Sequence, residues 1–238
     1  MTDLKGKVVV ITGASDGLGK ALSLRLAKEG AKLALVSKTK EKLEKSKAEV
    51  DALGVESEYF ACDISDDKQV EKTVSDIKSK FGTIDILVNN AGVWYEGSTE
   101  SHSPEKIKEL FGVNSMGPIF MARAVLPIMK AKKDGQILNV ASSAAKESAS
   151  EWGVYSATKW ALRSFNDTLK GELEGTGIKV MGFYPGGMKT NMFDVSGFPK
   201  GVTPWMMDPQ DVAEIIVFML TRPKDILMGD VDAVKFMG

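Results

Sequence analysis

"KVVVITGASDGLGK", residues 7–20, decides how the rest of the chain is read: an apolar run closes on a turn holding Gly13, Gly17 and Gly19, and a helical pattern starts inside that turn. Val8 to Thr12 is an unbroken β-branched run, the pattern of a strand covered on both faces. Glycine lets the backbone turn tightly and approach a ligand closely, and the unpaired N–H groups at a helix start receive a pyrophosphate. The turn, with Ser15, Asp16 and Leu18 between its glycines, therefore reads as a dinucleotide site. Its spacing is G-x-x-x-G-x-G, where the commoner fingerprint is G-x-G-x-x-G.

The same alternation continues outward. Short apolar runs at 7–12, 32–37, 56–61, 84–89, 136–141, 178–184 and 229–236 predict strands, and longer amphipathic stretches at 17–29, 40–53, 66–81, 103–132, 152–174 and 208–221 predict helices. A βαβα rhythm of this kind implies an α/β fold: a doubly wound parallel sheet of Rossmann type with helices on both faces. No linker, repeat or low-complexity run divides the chain, so residues 1–238 are expected to form one domain. In such sheets ligands sit beyond the carboxyl ends of the strands, which makes the strand-closing residues the candidates for function.

Composition removes other classes. The 31 Lys plus Arg balance 32 Asp plus Glu to a net charge of −1, which gives no bulk attraction to nucleic acid or to an anionic membrane. Cys62 and His102 are the only cysteine and histidine, too few for a disulfide framework or a zinc site, so no metal is expected. The start, "MTDLKGK", carries no apolar leader, and "VVVITG" is far too short to span a bilayer; a cytoplasmic location is the expectation.

"YSATK", residues 155–159, sets a phenol and an ammonium at i and i+4, on one helix face with Cβ atoms about 5–6 Å apart. A free tyrosine titrates near pH 10, and lowering it by ~3 units takes ~4 kcal/mol of preferential phenolate stabilisation. A neighbouring Lys159 ammonium, and the positive ring of an oxidised nicotinamide, would each favour the anion. On the pair alone, a helix residue with an interfacial hydroxyl beside a solvated lysine is the better reading, because Y-x-x-x-K is common by chance.

The pair does not stand alone. "TGASDGLG", "NNAG" at 89–92, Asn114, the serines of "NVASS", "YSATK" and "PGGMKT" at 185–190 together resemble, in order and spacing from about residue 5 to about residue 190, the short-chain dehydrogenase/reductase family. The resemblance implies a nicotinamide cofactor and hydride transfer between it and a carbonyl or secondary alcohol, with Tyr155 as acid or base beside Lys159. It implies that Ser142 holds the substrate oxygen, with Ser143 as the rival position, and that Asn114 sits inside a helix and holds a water against the lysine. It also assigns Asp63 and Ile64 to the adenine, Asn90, Ala91 and Gly92 to the ribose, and Pro185, Gly186, Met188 and Thr190 to the nicotinamide carboxamide.

The close of the second strand bears on which nicotinamide. An acid there would accept from a ribose 2′-OH and repel a 2′-phosphate, but Ser37, Lys38 and Thr39 stand in its place. They offer donors to a phosphate, so NADP(H) is favoured over NAD(H). Against it, Lys38, Lys40, Lys42 and Lys45 also fit the solvated face of an amphipathic helix, and Asp16 stands where many NADP users carry a base.

The segment near 191–207 is expected to close over the substrate as a lid. Its Met192, Phe193, Phe198, Trp205, Met206 and Met207, with Trp94, Tyr95 and Trp152, suggest an apolar pocket for a small-molecule carbonyl or alcohol. Relatives that reduce 3-oxoacyl carrier-protein thioesters usually end in a "G-x-x-x-x-x-D-G-G"-like strand, which "DILMGDVDAVKFMG" lacks; that activity is the secondary reading, and a redox sensor without turnover is another. Apolar faces near 103–132 and 152–174 suggest, by analogy, a homodimer or homotetramer.

Overall fold

The computed structural model describes residues 2–195, 201 and 203–237. Among them seven strands, β1 (Val8–Thr12), β2 (Lys32–Ser37), β3 (Ser57–Ala61), β4 (Ile86–Asn89), β5 (Gly135–Val140), β6 (Ile178–Pro185) and β7 (Asp230–Ala233), form one parallel sheet in the order β3-β2-β1-β4-β5-β6-β7. The central strands are buried along their whole length, and their side chains divide strictly by parity. Val9 and Ile11 of β1 enter one core with Leu33, Leu35, Ile86, Val88, Leu138 and Phe183, whereas Val10 enters the other with Ala34, Val36, Leu87, Ile137 and Val180. Alternation along a strand thus builds two cores from one sequence pattern.

The first core is covered by α1 (Gly17–Lys28), α2 (Lys40–Asp51) and α8 (Pro209–Leu220), through Leu22, Leu26, Leu43, Val50, Val212 and Ile216. The second is covered by α3 (Asp67–Phe81), α5 (Gly117–Lys132) and α6 (Gly153–Glu172), through Val70, Ile77, Met121, Val125, Met129 and Leu169. Strand order reverses between β1 and β4, and their diverging connections open a crevice at the carboxyl ends.

Two expected elements differ. The stretch 103–132 is not one helix: α4 (Pro104–Phe111) passes through a π-helical turn at Gly112–Met116 before α5 begins. Pro118 is the cause visible in the sequence, because it has no N–H to give the carbonyl of Asn114, and the Gly117 N–H reaches back to Gly112 O instead. The last strand is shorter than 229–236. β7 stops at Ala233, and Val234, Phe236 and Met237 beyond it are exposed.

Candidate active site

The crevice is a cleft of about 950 Å³ that starts at the β1–α1 turn and ends among aromatic side chains beside Tyr155. At its open end Gly13 has φ 68°, a conformation that side-chain-bearing residues rarely adopt, and a Cβ there would stand 2.9 Å from Ala91 Cα. Gly19 is needed for a different reason. A Cβ on it would fall 2.1 Å from Gly13 O, so α1 can tuck under its own turn only without a side chain. Thr12 ties this turn to the end of β4: its Oγ1 accepts from the N–H groups of Asn90 and Ala91, both at 3.0 Å, and its carbonyl accepts from Asn90 Nδ2 at 2.9 Å.

The rim of that end is charged and wet. Asp16 caps α1, accepting from Gly17 N at 2.8 Å, and its other oxygen takes Lys42 Nζ and Asn191 Nδ2, each at 3.3 Å. These donors hold its carboxyl below the usual aspartate range, against a desolvation that pushes the other way. Ser15 Oγ and Ser37 Oγ lie 2.9 Å apart, and Lys38 pairs with Asp63 at 2.7 Å.

The far end is dry. Tyr155 and Lys159 project from α6 and are 6% and 4% exposed. Lys159 Nζ lies 5.7 Å from the Tyr155 ring centroid and makes a long 3.5 Å contact with Val140 O. Burial pushes the ammonium down to about 8 and the phenol up to about 12, the latter opposed by a hydrogen bond with Ser142. The acidified tyrosine that the spacing suggests is therefore not a property of the protein groups by themselves, because desolvation outweighs the Ser142 hydroxyl. Ser142 opens a short 3₁₀ turn and its Oγ accepts from Ala144 N at 3.2 Å, and Ser143 lines the cleft beside it.

Asn114 stands behind the lysine, fully buried in the π-helical turn. Its side chain is committed: Oδ1 accepts from Val93 N at 2.8 Å, and Nδ2 donates to Val93 O at 2.9 Å and Thr158 Oγ1 at 3.1 Å. Asn114 Oδ1 and Lys159 Nζ both crowd Gly92, within 3.3 and 3.5 Å of where its Cβ would be. Pro118, four residues on, has no N–H to offer the Asn114 carbonyl.

Aromatic rings wall the closed end. Trp94 meets Tyr155, Trp152 and Phe193 edge to face at centroid distances of 4.4, 5.1 and 5.7 Å, and Phe193 meets Trp205 at 6.4 Å. The Trp94 indole N–H is buried without a hydrogen-bond partner among the described residues. Met192 and Phe193, in the single-turn helix α7 (Met192–Val195), close this side, whereas Met206 and Met207 are buried away from the cleft. Phe198 lies outside the described residues.

Of the candidate residues, the cleft gathers Ser142, Tyr155, Lys159, Gly13, Ser15, Asp16, Gly17, Leu18, Ser37, Lys38, Asp63, Ile64, Asn90, Ala91, Gly92, Pro185, Gly186, Met188 and Thr190 on its walls. Gly19 and Asn114 support it from behind, and Thr39 caps α2 off the wall without a side-chain hydrogen bond. Lys42, Lys108 and Glu109 reach the wall although their helical spacing marks them as solvated face. No local signal separates Lys42 from its neighbouring lysines, since its contact with Asp16 is tertiary.

Comparison with known proteins agrees with this architecture. Residues 7–197 match the model of the short chain dehydrogenase family. An uncharacterized oxidoreductase of Staphylococcus aureus (strain USA300) is 30% identical over 231 residues, covering 97% of this chain and 98% of that one. Among solved structures, an alcohol dehydrogenase from the archaeon Thermococcus sibiricus, complexed with 5-hydroxy-NADP, is 31% identical with a TM-score of 0.89, covering 97% of both chains. A 3-ketoacyl-(acyl-carrier-protein) reductase from Brucella melitensis, complexed with NADH, is 33% identical with a TM-score of 0.87, covering 97% of this chain and 98% of that one.

Proposed function

The chain belongs to the short-chain dehydrogenase family of oxidoreductases, and from that premise we propose that it is an NADP(H)-dependent enzyme interconverting a carbonyl compound and its secondary alcohol, with Tyr155 as the acid–base group. The observation that carries the reading is a buried phenol, sharing the cleft wall with Ser142 and one helical turn from a buried lysine, at the closed end of a cleft that begins at a glycine turn.

A nicotinamide dinucleotide fits the residues present. The turn at Gly13 and Gly17 leaves its backbone bare where a pyrophosphate needs close approach, and any Cβ at Gly13 would strike Ala91. Asp63 and Ile64 would take the adenine, Asn90 to Gly92 the ribose, and Pro185, Gly186, Met188 and Thr190 the carboxamide; Ser37, Lys38 and Thr39 would receive a 2′-phosphate. When bound, the nicotinamide supplies hydride to a carbonyl carbon or takes it from an alcohol.

The side chains do the rest. Ser142 donates to the substrate oxygen and polarises it, as an oxyanion donor does. Tyr155 gives that oxygen its proton, and Lys159 stabilises the phenolate left behind, with Asn114 holding a water against the lysine in support of a proton relay. A phenol raised by burial to about 12 is protonated at neutral pH, the state from which it can act as the acid.

The ring of Trp94, Trp152, Phe193 and Trp205 favours an apolar or amphipathic substrate of medium size. The Brucella melitensis neighbour keeps 3-oxoacyl thioester reduction as the second reading. Exposed Met116, Ile119 and Trp160 on α5 and its approach and on α6 support self-association into a dimer or tetramer.

The test is to offer purified protein and NADPH a panel of ketones, aldehydes and 3-oxoacyl thioesters while following the absorbance of the reduced nicotinamide. Turnover is expected on an apolar carbonyl. Tight NADPH binding with silence across the panel would instead make the protein a redox sensor.

A further inference from the structure

The open end of the cleft contains an apparent contradiction. Lys38 is the obvious partner for a 2′-phosphate, yet its ammonium is already paired with Asp63 at 2.7 Å, and Asp16 places a second carboxylate in the glycine turn itself. Lys38 with Asp63, taken against Asp16 unpartnered, would present a net negative rim to a dianionic group. The structure resolves this through Lys42, which reaches from the first turn of α2 to Asp16 Oδ2 at 3.3 Å and lines the same cleft as Ser15, Ser37 and Lys38.

Two features of Lys42 point to a ligand. A cation in the first turn of a helix opposes the helix dipole, so this placement is locally unfavourable and adds to the positive field of the α2 N-terminus. Its side chain is also 51% exposed, so the ammonium is held by one carboxylate and water and can turn toward an arriving anion. Asp16 keeps two other donors, Gly17 N and Asn191 Nδ2, and is not stranded when Lys42 leaves it.

We infer that Lys42 is a cofactor-specificity residue: held in readiness by Asp16, it pairs with the 2′-phosphate of NADP(H) and offsets the acid that the glycine turn places there. This inference rests on the NADP(H) reading above and names the residue that makes an aspartate in that turn compatible with it. Asp16 acts as a positioning residue, since it aims the lysine while repelling the phosphate.

Binding, read by quenching of protein fluorescence or by calorimetry, tests it without turnover. Dissociation constants for NADPH and NADH are compared in wild type, Lys42→Met, Lys42→Arg and Asp16→Asn, at low and high salt. Lys42→Met is expected to lower the NADPH-over-NADH affinity ratio about tenfold, Lys42→Arg to restore most of it, and added salt to weaken NADPH more in wild type than in Lys42→Met. Asp16→Asn is expected to raise the ratio. A wild type that prefers NADPH, with a ratio unmoved by Lys42→Met, overturns the role of Lys42 alone; a wild type that prefers NADH overturns the cofactor reading and this inference together.

Discussion

The two ends of the cleft handle charge in opposite ways. At the glycine turn, Asp16, Lys42, Lys38 and Asp63 are paired and largely hydrated, so each is cheap to keep and modest in effect. At the tyrosine end, Lys159 and Tyr155 are buried with few partners, and their ionisation is shifted by desolvation. The first end can select a ligand at little cost in stability. The second trades stability for reactivity.

The largest effect separating the ends is expected from Tyr155→Phe, which removes the proton donor and keeps the ring against Trp94. Turnover should fall about a thousandfold or more while NADPH still binds, as stopped-flow and equilibrium fluorescence would show. A variant that keeps a tenth of the wild-type rate would move the acid–base role elsewhere.

Next comes Lys159→Met, expected to slow turnover about a hundredfold and to stabilise the fold. Holding the ammonium at about 8, where a free lysine titrates near 10.5, costs the folded state about 3 kcal/mol at neutral pH. The sign follows from a depressed lysine: the penalty is present in full below pH 8 and vanishes as the pH climbs past 10.5, where both states are neutral. Denaturant midpoints of variant and wild type should therefore differ most near neutrality and converge at alkaline pH. A variant less stable at pH 7 would show that the ammonium is better solvated than its burial implies.

Gly19→Ala comes third. Its methyl cannot avoid Gly13 O without moving α1 or the turn, so a loss of about 1–3 kcal/mol in unfolding free energy and weaker binding of either dinucleotide are expected. Lys38→Ala should be smallest, a few-fold loss of NADPH affinity, because the side chain is 77% exposed and its ammonium is already paired with Asp63. An effect larger than that of Lys42→Met would reverse the ranking of the two lysines.

How legible these ends were in the sequence follows from the same contrast. The strands, the sheet class and the glycine turn could be read because parity and turn chemistry are local, and Val9 and Val10 face different cores for no reason beyond alternation. The gathering of Tyr155 with Ser142 could be read only from resemblance, since the two come from different elements. The direction of the tyrosine's shift was not legible. It depends on how dry the site is, which Trp94 and Trp152 decide through contacts that no spacing announces. Lys42 hid for the opposite reason: a lysine on a wet helical face looks like every other, and only the tertiary approach of α2 to the glycine turn sets it apart. The break in 103–132 was not legible either: Pro118 marks it, yet Pro127 in the same stretch lies inside the unbroken α5.

That break has a geometric consequence. Each residue rotates an α-helix by about 100°, so the extra residue held in the Gly112–Met116 turn puts the flanking segments out of phase. α4 can thereby aim Glu109 at the Tyr95 hydroxyl, 2.8 Å away, while α5 aims Met121, Val125 and Met129 at the sheet. The missing hydrogen on Pro118 falls where that phase changes.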